Sequence, residues 1–447
     1  MSAEGPPEPG ARPGAVDRAV DHLFRRASGQ LVAALTRLFG VGNLDLAEDV
    51  VQETLLQALD QWPLSGIPAN PAGWLYRAAG NRAIDALRRA ETRQRLNPQV
   101  RAVMELSGSP AGGPAASLPA WMLDDAAIAA DTLRLMFVCC YPALPVESQL
   151  ALILKVLAGF GTGEVARALL AEPTAVEKRL YRAKQRIRDA RIAFELPPAA
   201  DLASRLNAVL AALYLMFNEG YSSSFSEHPI RRDVCLEAMR LTKVLTEHPI
   251  GQRPEPWALL ALMCFHAARF DARTDGDGHL MLLRDQDRTR WCVPLIAEGF
   301  RALGRAAAGE SLGAIQLEAG IAALHCLAPR WEATDWPTIL RLYDLLLEVK
   351  PTPVVALNRA VALAEVRGPR VGLEAVELVV ASGALDGYYL VPAIIGDLHL
   401  RLGEPEPAAR YLARAHELTA SPAERRLLKA KLRVCGMGRP ARDTLQP

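Results

Sequence analysis

The chain has 447 residues with a formal net charge of +1, and 50% of its residues are hydrophobic and 23% charged. This composition predicts a soluble globular protein long enough for two to four domains. No uninterrupted apolar run approaches the ~20 residues that span a bilayer, and the N-terminal stretch "MSAEGPPEPGARPG" lacks the apolar core of a signal peptide. We therefore expect a cytoplasmic protein with no membrane partner.

The seven cysteines support neither a disulfide framework nor a zinc site, because their number is odd and no C-x-x-C spacing occurs. Cys139 and Cys140 lie in the apolar run "LRLMFVCCYPAL", which predicts buried packing. The stretch "DARTDGDGHL" is similar to a calcium loop, but it lacks the glycine and the distal glutamate at the required spacing. The sequence therefore predicts no metal site and no cofactor.

Two Pro- and Gly-rich stretches divide the chain. The first fifteen residues are predicted to be a disordered tail, and "SGSPAGGPAASLP", residues 107–119, lies in a predicted flexible linker between two compact units. Helical periodicity dominates elsewhere, and no convincing strand alternation occurs. The predicted fold class is all-α.

The segment "DLAEDVVQETLLQALDQW" predicts an acidic helix. No Lys or Arg occurs between Arg37 and Arg77, although this interval contains Asp45, Glu48, Asp49, Glu53 and Asp60. Such a face repels DNA, and two interpretations remain open: it docks on a basic protein surface, or it is simply a solvated helix face.

The sign of the charge reverses in "WLYRAAGNRAIDALRRAETRQR", which contains Arg77, Arg82, Arg88, Arg89, Arg93 and Arg95. Trp74 and Tyr76 lie at its start. Basic groups interleaved with aromatic and amide side chains suit single-stranded or melted DNA, because phosphates need positive charge and unstacked bases need planar partners.

A second basic segment, "VARALLAEPTAVEKRLYRAKQRIRDAR", predicts a helix-turn-helix. Val176, Leu180, Ala183 and Ile187 fall three or four residues apart and form one apolar stripe, while basic residues occupy other faces. Pro173 can occupy the first turn of the second helix but not its interior. The second helix of such a motif enters the DNA major groove, whereas an isolated basic segment could also be a solvated face.

The C-terminal part contains a repeat. "ALNRAVALAEVRGPRVGLEAVELV" and "AIIGDLHLRLGEPEPAARYLARAHEL" each predict a helix, a glycine turn and a second helix. The turn glycines Gly368 and Gly403 are 403 − 368 = 35 residues apart, close to the tetratricopeptide period of ~34. A generic all-α bundle could use such alanine-rich helices too, so both interpretations remain open.

The order of acidic helix, aromatic and basic helix, linker and helix-turn-helix resembles a bacterial sigma factor of the extracytoplasmic-function type. "AEDVVQETLLQAL" resembles region 2.2, which docks on the clamp helices of the largest subunit of core RNA polymerase. "WLYRAAGNRAIDALRR" resembles regions 2.3 and 2.4, which open and read the −10 promoter element. The helix-turn-helix resembles region 4, which reads the −35 element.

This resemblance implies three sets of site residues and no catalytic residue. The set implied for core polymerase binding is Asp45, Glu48, Asp49, Gln52 and Glu53. The set implied for −10 DNA is Trp74, Arg77, Asn81, Arg82, Asp85, Arg88 and Arg89. The set implied for −35 DNA is Lys178, Arg179, Arg182 and Arg186. The implied partners are core RNA polymerase and promoter DNA.

The predicted organisation is a tail at 1–15, sigma region 2 at 16–96, a linker at 97–124, sigma region 4 at 125–196 and a C-terminal helical domain at 197–447. This extension resembles that of a sigma-factor subgroup with a tetratricopeptide-like domain, through "YLMFNEGYSSS", "LLRDQDRTRW" and "TDWPTILRLYDLL". We expect it to be regulatory and to bind an unidentified ligand or protein.

Two other functions stay open from the sequence. The first is a one-component helix-turn-helix regulator whose helical domain senses a ligand. The second is an enzyme tethered to DNA, because the extension contains polar residues that would supply acid, base and anion-binding chemistry in one pocket: Asn218, Glu219, Tyr221, His266, Arg269, Asp271, Asp285, Asp287 and Arg288. The interpretation we prefer is that they cap and bridge helices. The acidic helix favours the sigma factor, since a repressor needs no surface for polymerase.

Overall fold

The computed structural model describes residues 13–91, 124–169, 171–221, 230–308 and 312–437. These residues are mostly helical, and among them the only extended pairing is an isolated bridge between Thr274 and Leu280. The all-α fold class is therefore confirmed. The chain divides into two compact units, Met1–Met216 and Phe217–Pro447.

The first unit is built on a long first helix that packs against the next three. Its helices are α1 (Pro13–Phe39), α2 (Leu44–Ser65), α3 (Pro71–Glu91), α4 (Asp125–Cys139), α5 (Val146–Leu152), α6 (Thr162–Ala168), α7 (Pro173–Asp189) and α8 (Ala199–Tyr221), whose last turns enter the second unit. A π-helical turn, Ile153–Leu157, continues α5.

The segments predicted as separate sigma domains lie together in the first unit. At Gly29 of α1, a Cβ atom would lie 2.1 Å from the carbonyl oxygen of Leu157, so only glycine permits this close approach. Most of the predicted linker, 97–123, lies outside the described residues, and Asp124 at its end caps α4 by accepting hydrogen bonds from Ala126 and Ala127. Residues 1–12 of the predicted tail are also outside them, and α1 begins at Pro13.

The second unit is an array of consecutive helices in which neighbours in sequence pack together. They are α9 (Arg232–Glu247), α10 (Pro254–Ala267), α11 (Val293–Ala306), α12 (Ala314–Leu327), α13 (Trp336–Val349), α14 (Pro353–Arg367), α15 (Pro369–Ala381), α16 (Leu390–Arg401), α17 (Pro405–Leu418) and α18 (Pro422–Met437).

The predicted helix pairs of the C-terminal repeat form as α14 with α15 and α16 with α17. Gly368 follows α14 with a φ of 92°, and Gly403 follows α16 with a φ of 73°. Both angles lie in the left-handed region, where glycine has no Cβ penalty. The sequence therefore predicted these turns correctly.

Helix α10 places polar side chains at the edge of the second unit's core. It is apolar on all sides and packs against α9, α11 and α12, so it is the buried central helix of this part of the unit. His266 lies in its last turn, and Arg269 lies two residues after its end. The packing of α10 therefore holds His266 half-buried and Arg269 buried.

One described helix, Ala200–Tyr221, is long and apolar enough to cross a membrane by length and composition. Leu206, Leu210, Leu213 and Phe217 on this helix are buried within the protein. The core helix of a globular protein meets the same length and composition criteria, so this helix is weak evidence for a membrane span.

Candidate functional site

Helix α7 exposes the basic face that the sequence predicted. Val176, Leu180, Ala183 and Ile187 are buried, so the predicted apolar stripe is confirmed. The four residues predicted to contact −35 DNA lie on the remaining surface: Lys178, Arg182 and Arg186 are exposed and Arg179 is half-buried. Arg186 donates a hydrogen bond to the carbonyl oxygen of Ala143 at 3.0 Å, which holds α7 against the start of α5.

Most of this face has no internal counter-charge. Among the described residues, no carboxylate lies within ion-pair distance of Lys178, Arg179 or Arg182. Tyr181, which the sequence reasoning missed, is 66% exposed between them. An exposed cationic helix face with an aromatic side chain on it is suited to bind a polyanion.

A third face of α7 packs on the start of α2. Lys184 donates to Asp45 at 2.8 Å and also bonds Glu48, and Arg188 donates to Asp45 at 2.7 Å and to the carbonyl oxygen of Gly42 at 2.9 Å. Burial lowers the pKa of Lys184, but the charge of Glu48 and the bonds to both acids outweigh burial and raise that pKa above its ordinary value.

The structure thus splits the predicted polymerase-docking set in two. Asp45 and Glu48 form ion pairs with Lys184 of α7, and Glu48 is buried. Asp49, Gln52 and Glu53 are exposed. The sequence reasoning missed the internal partners, because nothing local in the sequence relates Lys184 to Glu48, which lies 136 residues away.

The exposed face of α2 also carries apolar side chains. Leu56 is 60% exposed and Leu59 is 50% exposed, one and two turns after the exposed acids. The sequence reasoning did not single out either residue, because a leucine in an amphipathic helix is ordinarily read as core. Acidic and apolar groups side by side on one exposed helix face are typical of a protein-docking surface.

Helix α3 exposes a polar face. Arg77, Asn81 and Asp85 are exposed at successive i, i+4 positions. Arg82 points instead to α2, where it donates to Glu53 at 2.9 Å and to Gln57 at 3.0 Å. The side chains of Arg88 and Arg89, predicted for −10 DNA, lie outside the described residues.

Trp74 begins the exposed part of α3. Its ring is half-buried and meets Trp62 edge-on, with the centroids 5.6 Å apart. Trp62 in turn lies 5.4 Å from Phe24 of α1. Trp74 is therefore held by a chain of aromatic contacts while part of its ring stays accessible, which is the condition for stacking on an unpaired base.

In the second unit the structure gathers some of the polar residues of the extension and separates others. Arg269 donates to the hydroxyl of Tyr221 at 2.7 Å and lies 2.6 Å from Nδ1 of His266. Asn218 and Asp285 are exposed, Asp271 pairs with Arg232, and Asp287 accepts bonds from Thr289. No acid of the predicted set joins Arg269 among the described residues.

The calcium-like loop brings three possible metal ligands together. Asp275, Asp277 and His279 come close enough to share an ion, but Asp275 already accepts hydrogen bonds from the backbone of Asp277 and His279. Cys139 and Cys140 are buried, as predicted, and burial raises the pKa of both thiols.

Comparisons with known proteins match two segments of the chain to described families. Residues 23–93 match Sigma-70 region 2, and residues 205–307 match a family of unknown function, DUF6596. The chain is 38% identical over 413 residues to "Uncharacterized protein R00370" of Rhizobium meliloti strain 1021, which covers 92% of this chain and 95% of that protein. No solved structure matches.

Proposed function

We propose that the chain is an alternative sigma factor of the sigma-70 family and of the extracytoplasmic-function type, because residues 23–93 match Sigma-70 region 2. In this proposal it binds core RNA polymerase in the cytoplasm, recognises −35 and −10 promoter elements and promotes DNA melting. Sigma-70 family proteins are transcription factors and not enzymes, so we assign no catalytic residue.

The observation that carries the proposal is the exposed acidic and apolar face of α2. Asp49, Gln52 and Glu53 lie beside Leu56 and Leu59, within the segment that matches region 2. An acidic face is repelled by DNA phosphates, so its partner is a protein with a basic surface. We assign it to the clamp helices of core polymerase. A one-component regulator would need no such surface.

Promoter recognition is assigned to the exposed faces of α3 and α7. On α7, Lys178, Arg179, Arg182 and Arg186 are assigned to the −35 duplex. The first three have no carboxylate partner among the described residues, so they gain most from contact with phosphate. On α3, Trp74, Arg77, Asn81 and Asp85 are assigned to the −10 strand, and their accessible side chains support this assignment. Arg88 and Arg89 are assigned to it by resemblance alone. Arg82 has a mixed role, because its bond to Glu53 ties α3 to α2.

Asp45 and Glu48 belong to the docking set by resemblance, yet both are bonded to Lys184. Polymerase can use these two acids only if α7 releases them. The contact between α2 and α7 therefore competes with docking at the start of α2, while the Asp49 to Leu59 part of the face stays available.

The fused C-terminal domain, for which the glycine-turn helix pairs support a tetratricopeptide-like assignment, is proposed to control the sigma part. We would compare full-length protein with a chain that stops after Tyr221, which keeps α8 whole, at matched soluble concentration. A difference in promoter output is expected. Equal output with and without cell extract would contradict control by the extension.

The experiment that tests the sigma assignment is assembly with purified core RNA polymerase, followed by gel filtration. The proposal predicts a complex that co-elutes with core enzyme. Binding of promoter duplex without any binding of core enzyme would contradict it and favour the one-component regulator.

A further inference from the structure

The second unit contains a cavity of about 430 Å³ that opens to solvent. Loop residues 280–286, α16 and α18 form most of its wall, and the apolar part of the lining includes Leu280, Leu283, Ile394, Leu398, Leu427 and Leu428. Its volume falls within the range of roughly 300–1,000 Å³ that small-molecule sites occupy. The cavity can therefore hold the apolar body of a small molecule.

Two arginines line the cavity without a carboxylate partner among the described residues. Arg269 is 9% exposed, and its Nη2 is shared between the hydroxyl of Tyr221 and Nδ1 of His266. Arg273 donates to the carbonyl oxygen of Tyr221 at 2.7 Å, and its guanidinium lies 3.7 Å from the centre of that ring. Each guanidinium has five N–H donors, so these contacts leave donors for another acceptor.

Further positive charge lies behind these arginines. Arg288 donates to the carbonyl oxygens of His325 and Ala328, at 2.5 and 2.7 Å, yet its Nη2 is buried and has no hydrogen-bond partner among the described residues. Burial, followed by the charge of Arg269, lowers the pKa of both His266 and His325, the latter to about 3. The histidines therefore add no positive charge near neutral pH, and the charge next to the cavity comes from the arginines.

The acids that line the cavity cannot neutralise this charge, because each is bonded elsewhere. Asp397 pairs with Arg284 and Lys431, Glu365 pairs with Arg401, and Glu424 accepts from Tyr389 and Thr419. A buried cation that is not paired costs several kcal/mol, so a buried arginine pair of this kind favours an added anion.

We propose that this cavity binds a small organic acid with an apolar body. Its oxyanion bonds Arg269 and Arg273, and its apolar part packs against Ile394, Leu398 and Leu428. Arginine suits an oxyanion because its planar donors match two oxygens at once. The site lies within the second unit, and its existence does not depend on the sigma-factor assignment.

The test is titration of the full-length chain with 8-anilinonaphthalene-1-sulfonate, an apolar anion that fluoresces when it leaves water. We expect one saturable site per chain, displaced by decanoate but not by the neutral decanol. Arg269→Gln and Arg273→Gln should each weaken binding at least about tenfold, because each removes a charge-assisted bond. Arg410→Gln, an exposed arginine on α17 outside the cavity, should leave the affinity unchanged.

A second variant separates binding from folding. Ile394→Trp keeps both arginines and fills the cavity, so it should abolish saturable binding, and its melting temperature shows whether the chain is folded. The arginine variants should melt at or above the wild-type temperature without the probe, since each removes an uncompensated buried cation. Absence of saturable binding to the wild type, displacement by decanol as well as by decanoate, or equal affinity in all four variants would overturn the proposal.

Discussion

The two units of the chain use charge in opposite ways. The first unit keeps like charges on exposed helix faces, acidic on α2 and basic on α7. The second unit places Arg269, Arg273 and Arg288 near two half-buried histidines, His266 and His325, whose pKa is lowered. An exposed charged face can meet a large partner such as DNA or polymerase, whereas cations that line a cavity are suited to a molecule small enough to enter it. The exposure of the charged side chains, rather than the number of basic residues, therefore indicates the size of the partner.

The largest effect is expected from reversal of charge on α7. The triple variant Lys178→Glu, Arg179→Glu, Arg182→Glu should weaken binding to promoter duplex on the order of a thousandfold at low salt, and the slope of log K against log salt should fall by about 2.7. Fluorescence anisotropy from 50 to 200 mM salt measures both. The same number of reversals at exposed Arg410, Arg414 and Arg426 of the second unit should change little. Equal losses in both triples would refute a specific role for α7.

The acidic face of α2 should give the next largest effect. Asp49→Arg with Glu53→Arg places like charges opposite a basic docking surface and should weaken core polymerase binding by about a hundredfold or more. Glu53 also pairs with Arg82, so Arg82→Gln is the matched control: it breaks that bond and leaves both acids in place. Co-purification with core enzyme distinguishes the two. Retention by the double variant would rule out this face as the docking surface.

Substitutions at Trp74 distinguish the contribution of base stacking from that of charge in the first unit. Trp74→Ala should leave binding to duplex intact and reduce strand opening by about tenfold, the loss expected for one stacked base. Trp74→Phe should restore much of it, since a ring remains. Permanganate reactivity of the −10 element is the measurement. Full reactivity in Trp74→Ala would show that Trp74 only packs against Trp62 and has no role in strand opening.

The smallest effect concerns the loss of stability in acid that arises from His266 and His325 of the second unit. Because the pKa of His266 and of His325 is lowered in the folded chain, the unfolded chain takes up their protons first as pH falls below about 6.5. The free energy of unfolding should therefore decrease by about 1.4 kcal/mol per pH unit for each histidine. His325→Gln should remove one such contribution. Calorimetry of the wild type and of this variant at pH 7 and pH 5.5 measures the difference, and identical pH dependence in both would contradict it.

Local features could be predicted from the sequence, and long-range pairs could not. The helical period alone located the buried stripe of α7, and the turns at Gly368 and Gly403 followed from glycine chemistry. By contrast, the bond of Lys184 to Glu48 and the meeting of Arg273 with Tyr221 join residues far apart in sequence. Tertiary packing decides which residues meet, and one sequence does not specify that directly.

The solvent exposure of individual side chains could not be predicted from the sequence either. Leu56 and Leu59 were not singled out from the sequence, yet they lie on the surface beside exposed acids. Glu48 read as an exposed acid, yet it is buried against α7. In both cases tertiary packing, which residue type alone does not indicate, determined how exposed the side chain is.

The most direct test of the central claim is reconstituted transcription with purified core RNA polymerase and this chain, on a promoter that carries both −35 and −10 elements. A sigma factor should give transcripts from one defined start, and these should disappear with Asp49→Arg and Glu53→Arg while Arg410→Gln has no effect. Duplex binding without any transcript above core enzyme alone, on promoters selected by the chain itself, would contradict the sigma assignment.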